Sequence, residues 1–412
     1  MSVPRTLPLG SITAWYSGGT PNRSNGAYWN GTIPWISAAT LKGSRISDSD
    51  QHLTEAGLHA GSNLAPKGAT LVLVRGMALH RETRIGLAQL PVSFNQDVKA
   101  LVPKEGILPE FLLYALQARS GQIRELVSSA GSGTGVLNTQ LLQRLPIWVP
   151  SEETQRTVVR TMSHADDLIA TLERLITKKQ AIKQGMMQQL LTGRTRLPGF
   201  ADAWSEMRLG NHVSYVKTVA LSRAQLDTKS PLKYLHYGDI HTRSSILLDA
   251  AVEEMPRANV NLAARAGQLR CGDLVFADAS EDPAGVGKSI EIADTPDTGV
   301  VPGLHTIAAR FDKSVLADGF KAYFQFIPSF RDQLLRLAAG TKVLATTRSY
   351  ISSITLTLPA VAEQNAIAEA LHDSEREIEA LRVCLSKARD MKTGMMQQLL
   401  TGRVRLPVET AS

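Results

Sequence analysis

Several things are scarce in this chain, and each shortage closes off a class of function. Only two cysteines, Cys271 and Cys384, occur in 412 residues. So few cannot build a zinc cluster or a disulfide framework, and a reducing compartment is the default. No run of about 18 unbroken apolar residues exists, so no membrane-spanning helix is expected. The N-terminal MSVPRTLPLG lacks the apolar core of a signal peptide. Catalytic signatures are missing as well. There is no H-E-x-x-H and no Cys/His cluster for a metal, no G-x-S-x-G nucleophile turn, and no G-x-G-x-x-G after a strand. The Asn/Asp-Pro-Pro-aromatic signature of amino-methyltransferases is absent too. DPAGVGKS (282–289) imitates a phosphate loop but sets Asp282 where that loop needs glycine, and a carboxylate there repels phosphate. A β-turn or hairpin is expected instead, with Lys288 available to a DNA phosphate. Glu82 followed by Asp97-Val98-Lys99 outlines a metal-dependent nuclease, yet the second half holds nothing equivalent. These absences describe a soluble cytoplasmic protein that binds and assembles, with no catalytic residue, metal or cofactor of its own.

What the chain does contain is a repeat. GMMQQLLTGRTRLP (185–198) returns as GMMQQLLTGRVRLP (394–407), offset by 209 residues and changed only from Thr195 to Val404. The same offset carries Phe111 to Phe320, Gly131 to Gly340, Pro150 to Pro359 and Gln155 to Gln364. A constant offset over such a span means a tandem duplication without insertion or deletion there. Upstream the copies diverge, and ATLVLVRG (69–76) matches GDLVFADA (272–279) only loosely.

The last part of each copy reads as a long helix. Val158, Met162, Ala165, Ile169, Leu172, Ile176, Lys179, Lys183, Met186 and Leu190 follow alternating steps of four and three. The second copy gives Ile367, Leu371, Ser374, Ile378, Leu381, Leu385, Ala388, Lys392, Met395 and Leu399. Both sets trace the a/d seam of a coiled coil. Each helix starts just after a proline (Pro150, Pro359) and ends at a glycine suited to the left-handed C-terminal position (Gly193, Gly402). About 40 residues make a rod of roughly 60 Å. The expected fold is α+β: two similar globular domains separated by two long helices packed as an antiparallel coiled coil, pseudo-two-fold from the duplication. The boundaries are 1–150 (first domain), 151–198 (first spacer helix), 199–359 (second domain) and 360–412 (second helix and tail). Strands are expected at 70–74, 145–150, 273–277 and 353–359, and helices over 108–127 and 317–338.

Charge points to a polyanion. The net charge is +7, and residues 1–150 hold 13 Lys/Arg against 8 Asp/Glu. The opening GGTPNRSNGAYWNGTIPWISAATLK, with Gly19, Thr20, Pro21, Tyr28, Trp29, Gly31, Ile33, Pro34 and Trp35, resembles the opening of specificity subunits of type I restriction–modification systems. LTEAGL (Leu53 to Leu58), the Pro…Gln start of each long helix and the MMQQLLTGR ends are similar to that family as well. The resemblance implies a non-catalytic subunit whose two domains each read one half of an asymmetric, bipartite site in double-stranded DNA. It implies two methyltransferase subunits as partners and, for cleavage, translocase–nuclease subunits. S-adenosylmethionine, ATP and Mg would belong to those partners. A two-fold reader spans half-sites about one helical turn apart, which suggests a spacer of about 5–8 base pairs.

Base edges are read by Arg, Lys, Asn, Gln, Ser and Thr. In the first domain the candidates are Lys42, Arg45, Arg75, Arg81 and Arg84, with Ser132, Thr134 and Asn138 of the SGSGTGVLN loop. The offset carries that loop to Lys342, Thr346, Thr347 and Arg348, and Arg243 and Lys288 complete the set. Met186, Met187, Gln188, Gln189, Leu190 and Leu191, with Met395, Met396, Gln397, Gln398, Leu399 and Leu400, are expected to dock two like partner subunits, because the repeated phrase tolerates so little change. Two rival readings remain at this point. One is a self-contained DNA nuclease or modification enzyme with unrecognised motifs, and the other is a coiled-coil interaction protein without sequence preference.

Overall fold

The structure, a computed structural model, describes residues 5–131, 133–280, 282–338 and 344–404. It forms two compact units, Met1–Arg174 with Arg382–Ser412, and Leu175–Leu381. Among the described residues, no helix is long and apolar enough to cross a membrane.

The first unit is built on five strands: β1 (Thr13–Ser17), β2 (Arg45–Ile46), β3 (Thr70–Leu73), β4 (Ile85–Ala88) and β5 (Val98–Pro103). Their spatial order is β1-β5-β3-β4-β2, with β2 parallel to β4 and the other neighbours antiparallel. β3 and β4 are buried along their whole length, which is why TLVL and IGLA read as apolar runs rather than alternating ones. The second unit repeats the plan with β6 (Val213–Val216), β7 (Leu247–Asp249), β8 (Leu274–Ala277), β9 (Ser289–Asp294) and β10 (Thr306–Phe311) in the order β6-β10-β8-β9-β7. Only the β7–β9 neighbours are parallel. A short antiparallel pair leads into each long helix: Arg5–Pro8 with Pro146–Val149, and Ser205–Arg208 with Thr355–Leu358. The helix expected over 108–127 is two pieces, Pro109–Gln117 and Ser120–Glu125. Its counterpart is a 3-10 turn, Lys321–Phe326, followed by a helix, Pro328–Leu337. DPAGVGKS is a capped turn as expected: the Asp282 carboxylate accepts from Gly285 N at 2.7 Å, and Ser289 opens β9.

The long helices α1 (Glu152–Leu190) and α2 (Val361–Leu399) have 39 residues each, and both ends keep the repeat offset (152 to 361, 190 to 399). Every expected seam position on both helices is buried or half-buried. Ion pairs give the direction. In the first unit Asp166 meets Lys392 and Glu173 meets Arg389; in the second Lys179 meets Glu377 and Lys183 meets Glu375. Numbers rise along one helix as they fall along the other, so the helices pack antiparallel. These pairs also account for the lysines in the seam. Lys183 and Lys392 are equivalent positions, as are Asp166 and Glu375, so one pair is made twice with the copies exchanged, the pattern of an isologous contact. A buried tyrosine stands beside each. Tyr114 donates to Asp166 at 2.7 Å, and Tyr323 is its counterpart. Burial, reinforced by the neighbouring carboxylate, pushes both phenols well above their usual range.

Each helix begins in one core and ends in the other. Val158 and Met162 belong to the first unit's core, which also receives Leu399 and Leu400, with Met395 and Met396 against it. Ile367 and Leu371 belong to the second unit's core with Leu190 and Leu191, and Met186 and Met187 lie against it. The docking expectation is corrected here. Leu190, Leu191, Leu399 and Leu400 are at most 5% exposed, so they are core residues and not a docking surface. Within the repeated phrase the exposed side chains on the helices are Gln188, Gln189, Gln397 and Gln398.

The start of each helix is fixed by a fully buried glutamine. Gln155 accepts from Leu108 N and donates to the carbonyls of Gly106 and Pro150, at 2.9, 2.9 and 3.1 Å. Gln364 accepts from Ala317 N and donates to Val315 and Pro359, each at 2.9 Å. All four residues of this clamp obey the 209 offset. Replacing either glutamine with alanine strands three backbone groups that are buried or part-buried. The expected cost is about 2–4 kcal/mol in urea unfolding of the full chain; a loss below roughly 0.5 kcal/mol for both would show that the clamp is incidental. For the seam, Lys183→Glu is expected to cost about 1–2 kcal/mol, and Lys183→Glu with Glu375→Lys to recover most of it. Additive losses in the double variant would contradict the pairing.

Candidate nucleic-acid interface

In the first unit three segments converge at the ends of β3 and β4. They are the turn at 37–44, the stretch 74–84 that links β3 to β4, and the loop 130–138. Backbone bonds weld the last two together: Gly76 N to Gly135 O at 2.9 Å, Leu137 N to Val74 O at 2.8 Å, and a bridge between Arg75 and Val136. The approach is close. A Cβ at Gly135 would lie 3.0 Å from Gly76 O, so glycine is needed there. His80 adds a ring-nitrogen bond to Gly133 O at 2.9 Å.

The candidate side chains divide on this frame. Lys42, Arg45, Arg75 and Arg81 are exposed. Arg45 also reaches the hydroxyl of Tyr114 and opposes part of its upward shift. Arg84 is committed elsewhere: its guanidinium donates to Ala38 O at 2.6 Å and pairs with Glu82 at 2.6 Å. Asn138 caps the helix Thr139–Gln143, accepting from Gln140 N and Leu141 N at 3.0 and 3.1 Å. Thr134 is half-buried. Ser132 lies outside the described residues. Arg84 and Asn138 are therefore corrected from readers to ties that hold the loops.

The second unit reproduces the frame residue for residue. Ala279 pairs with Ala345 and Ser280 with Leu344, and Thr346 N donates to Asp278 O at 2.7 Å. The strand registers make Lys288, just before β9, the counterpart of Arg84, just before β4. Lys288 makes the matching tie, to the carbonyl of His241. Thr347 caps Arg348–Ser353 by accepting from Tyr350 N at 3.2 Å, as Asn138 does in the first copy. Thr346 is buried at 6% exposure and faces no ligand. Arg243 pairs with Glu253. Arg348 is exposed and lies 5.5 Å over the Tyr215 ring. Lys342 lies outside the described residues. Thr346, Thr347, Lys288 and Arg243 thus carry structural duties that the sequence did not reveal, and Arg348 stays exposed on this surface, over Tyr215.

Other residues at these loops went unread. Exposed Arg124 donates to Arg81 O at 3.5 Å in the first unit. In the second, Tyr237, His241, His305 and Arg331 line a cavity beside the loops. His305 takes a positive φ of 56° and contacts Asp278 at 3.1 Å. The signal that could have found them is a second offset: Arg75 matches Ala279 and Arg84 matches Lys288 at a spacing of 204 (75 to 279, 84 to 288), five short of the main repeat. Among the described residues no group of His, Cys, Asp and Glu could hold a metal ion. The nuclease outline dissolves likewise, since Glu82 pairs with Arg84 and Lys99 donates to Ser17.

Comparison with known proteins agrees with this architecture. The family described as "Type I restriction modification DNA specificity domain" matches residues 6–184. The chain is similar to the specificity subunit of the type I restriction enzyme EcoR124I/EcoR124II of Escherichia coli, 29% identical over 178 residues, covering 43% of this chain and 44% of that one. It is also similar to the MjaIX specificity subunit of Methanocaldococcus jannaschii, 30% identical over 173 residues, with 40% and 38% covered. The matched stretch is thus under half the length of each of these curated relatives. A crystal structure of the S subunit of a type I restriction–modification system from M. genitalium shares the fold over 97% of this chain and 96% of that one, with a TM-score of 0.58 and 12% identity. Residues 6–184 thus match the specificity domain of type I restriction–modification systems, and the duplicated mixed domain with its two antiparallel helices of equal length shares the fold of a solved S subunit.

Proposed function

We propose that this chain is the DNA-reading subunit of a type I restriction–modification complex, with the domains at 1–150 and 199–359 each reading one half of an asymmetric bipartite site. One observation carries the reading. The three-loop frame is the same in both units, while the side chains it displays differ: Arg75 and Arg81 in the first stand where Ala279 and Gly285 stand in the second. A conserved frame with exchanged side chains suits two readers of two different half-sites. A palindromic site would have no use for the difference. Lys42, Arg45, Arg75, Arg81 and Arg348 are the exposed candidates for base or phosphate contact.

Catalysis belongs to partners in this reading. Methyltransferase subunits would bring S-adenosylmethionine, and translocase–nuclease subunits ATP and Mg. Gln188, Gln189, Gln397 and Gln398 are the residues of the repeated phrase left to meet two like subunits, and the duplication offers the same contact twice. In this reading the length of the two long helices sets the spacer between the half-sites.

Mapping methylated adenines genome-wide with and without the gene tests the proposal. Loss of one gapped, bipartite motif supports it, and an unchanged methylome contradicts it. Replacing Arg75 and Arg81 together with alanine is expected to relax one half of that motif or cut methylation at least tenfold, since each base contact contributes roughly 1–3 kcal/mol. An unaltered motif at an unaltered rate would remove both residues from the interface.

A further inference from the structure

Among the described residues, four buried side-chain polar atoms have no hydrogen-bond partner: Thr70 Oγ1, Arg243 Nε, Ser289 Oγ and His372 Nε2. Three of the four line two adjoining cavities in the second unit. The larger, of about 980 Å³, has Arg243 and Ser289 in its wall; the smaller, of about 260 Å³, has His372. Ser244, Ser245, Ile246 and Phe326 line both. Buried polar atoms are almost always satisfied, so the unsatisfied ones single out these two walls. The larger volume lies within the roughly 300–1,000 Å³ of ordinary small-ligand sites.

The wall says which ligand. Lys288 and Arg331 bring cationic groups, and Arg243 stands in the same wall, paired with Glu253. Among the described lining residues the acidic member is Asp282, one of whose oxygens already accepts from Gly285 N. Asp278 is occupied by His305. The balance favours an anion. Aromatic surface is present too: the Tyr237 ring lies 5.4 Å from His305 and 6.1 Å from His241, and Phe326 is 39% exposed. Two small residues help to open it. Ala279 and Gly285 line the void at the places where the first unit has Arg75 and Arg81.

We propose that the larger cavity of the second unit binds a nucleoside phosphate, with its phosphate held by Arg331 and by the ammonium donors that Lys288 does not give to His241, and its base along Tyr237 and Phe326. The unit reaches the cavity either as a free nucleotide or as a nucleotide displaced from a DNA strand, and the second source rests on the DNA-reading proposal above. The first unit, with arginines at those places, presents its cations on an open surface instead.

Calorimetric titration of the full chain with dAMP, deoxyadenosine and a random-sequence 20-base-pair duplex tests this. dAMP is expected to bind at least about tenfold tighter than deoxyadenosine, a gap of about 1.4 kcal/mol. Arg331→Ala and Ser244→Trp should each weaken dAMP about tenfold or more. Arg331→Lys should keep most of the affinity, and Arg75→Ala, in the first unit, all of it. A duplex that competes with dAMP assigns the site to DNA, and one that does not assigns it to the free nucleotide; both support the cavity. No saturable dAMP binding, equal binding of the nucleoside, or wild-type affinity in Arg331→Ala and Ser244→Trp overturns it. Saturable dAMP binding together with an unchanged methylome would sink the DNA reading and leave the cavity standing.

Discussion

Two buried glutamines set the direction of everything downstream. A long helix leaving a domain can swing about its first residues unless something holds it, and here three hydrogen bonds from one side chain do so. Gln155 and Gln364 each join the helix start to two preceding segments, the turn at 106–108 or 315–317 and the proline at 150 or 359. Neither amide is in contact with solvent. Glutamine suits the place because it offers one acceptor and two donors at a single position, and the segment it meets presents one N–H and two carbonyls. The far end of each helix is held as well, since leucine pairs 190–191 and 399–400 are buried in a core.

The two copies solve the same interior with different chemistry, which shows what the fold demands and what it leaves open. In the second unit Lys321 is fully buried and pairs with Glu291 and Asp318, and the Glu291 carboxylate also accepts from Gly319 N and Ala322 N. Burial pushes the Glu291 carboxyl up, and Lys321 opposes that shift. At the matching places the first unit has Leu87 and Leu112, both in its core. A buried ion pair and a leucine pair thus serve one architecture, in keeping with the modest net value of such pairs. A second asymmetry lies at the helix start. Glu363 accepts from Arg196 and Trp204, whereas Thr154, its counterpart, bonds Ser151 at 3.0 Å.

Much of this was legible in the sequence, because repetition and periodicity leave marks that no single residue can. The seam, its antiparallel sense, the strands at 70–73 and 274–277 and the capped turn at 282–285 follow from spacing and composition. Individual duties were not legible. Arg84, Lys288, Asn138 and Thr347 look like DNA contacts when judged by residue type, yet each is spent on a neighbouring backbone. A hydrogen-bond donor in a loop serves a ligand or a carbonyl equally well, and only the fold says which is nearer. The repeated leucines misled for a related reason. Their constancy reflects two cores that must each accept the same helix end, and the glutamines between them carry the exposed part of the phrase. The second unit's cavity was hidden because its loop matches the first copy at 204 residues while the flanking parts match at 209.

The central claim is that the last turn of α2 completes the first unit's core and not the second's. Hydrogen–deuterium exchange on a chain ending at residue 393 tests it most directly. The account predicts lost protection in the first unit, around Phe111–Leu116 and β5, with the sheet of the second unit protected as before. Lost protection in the second unit, or in neither, would contradict it.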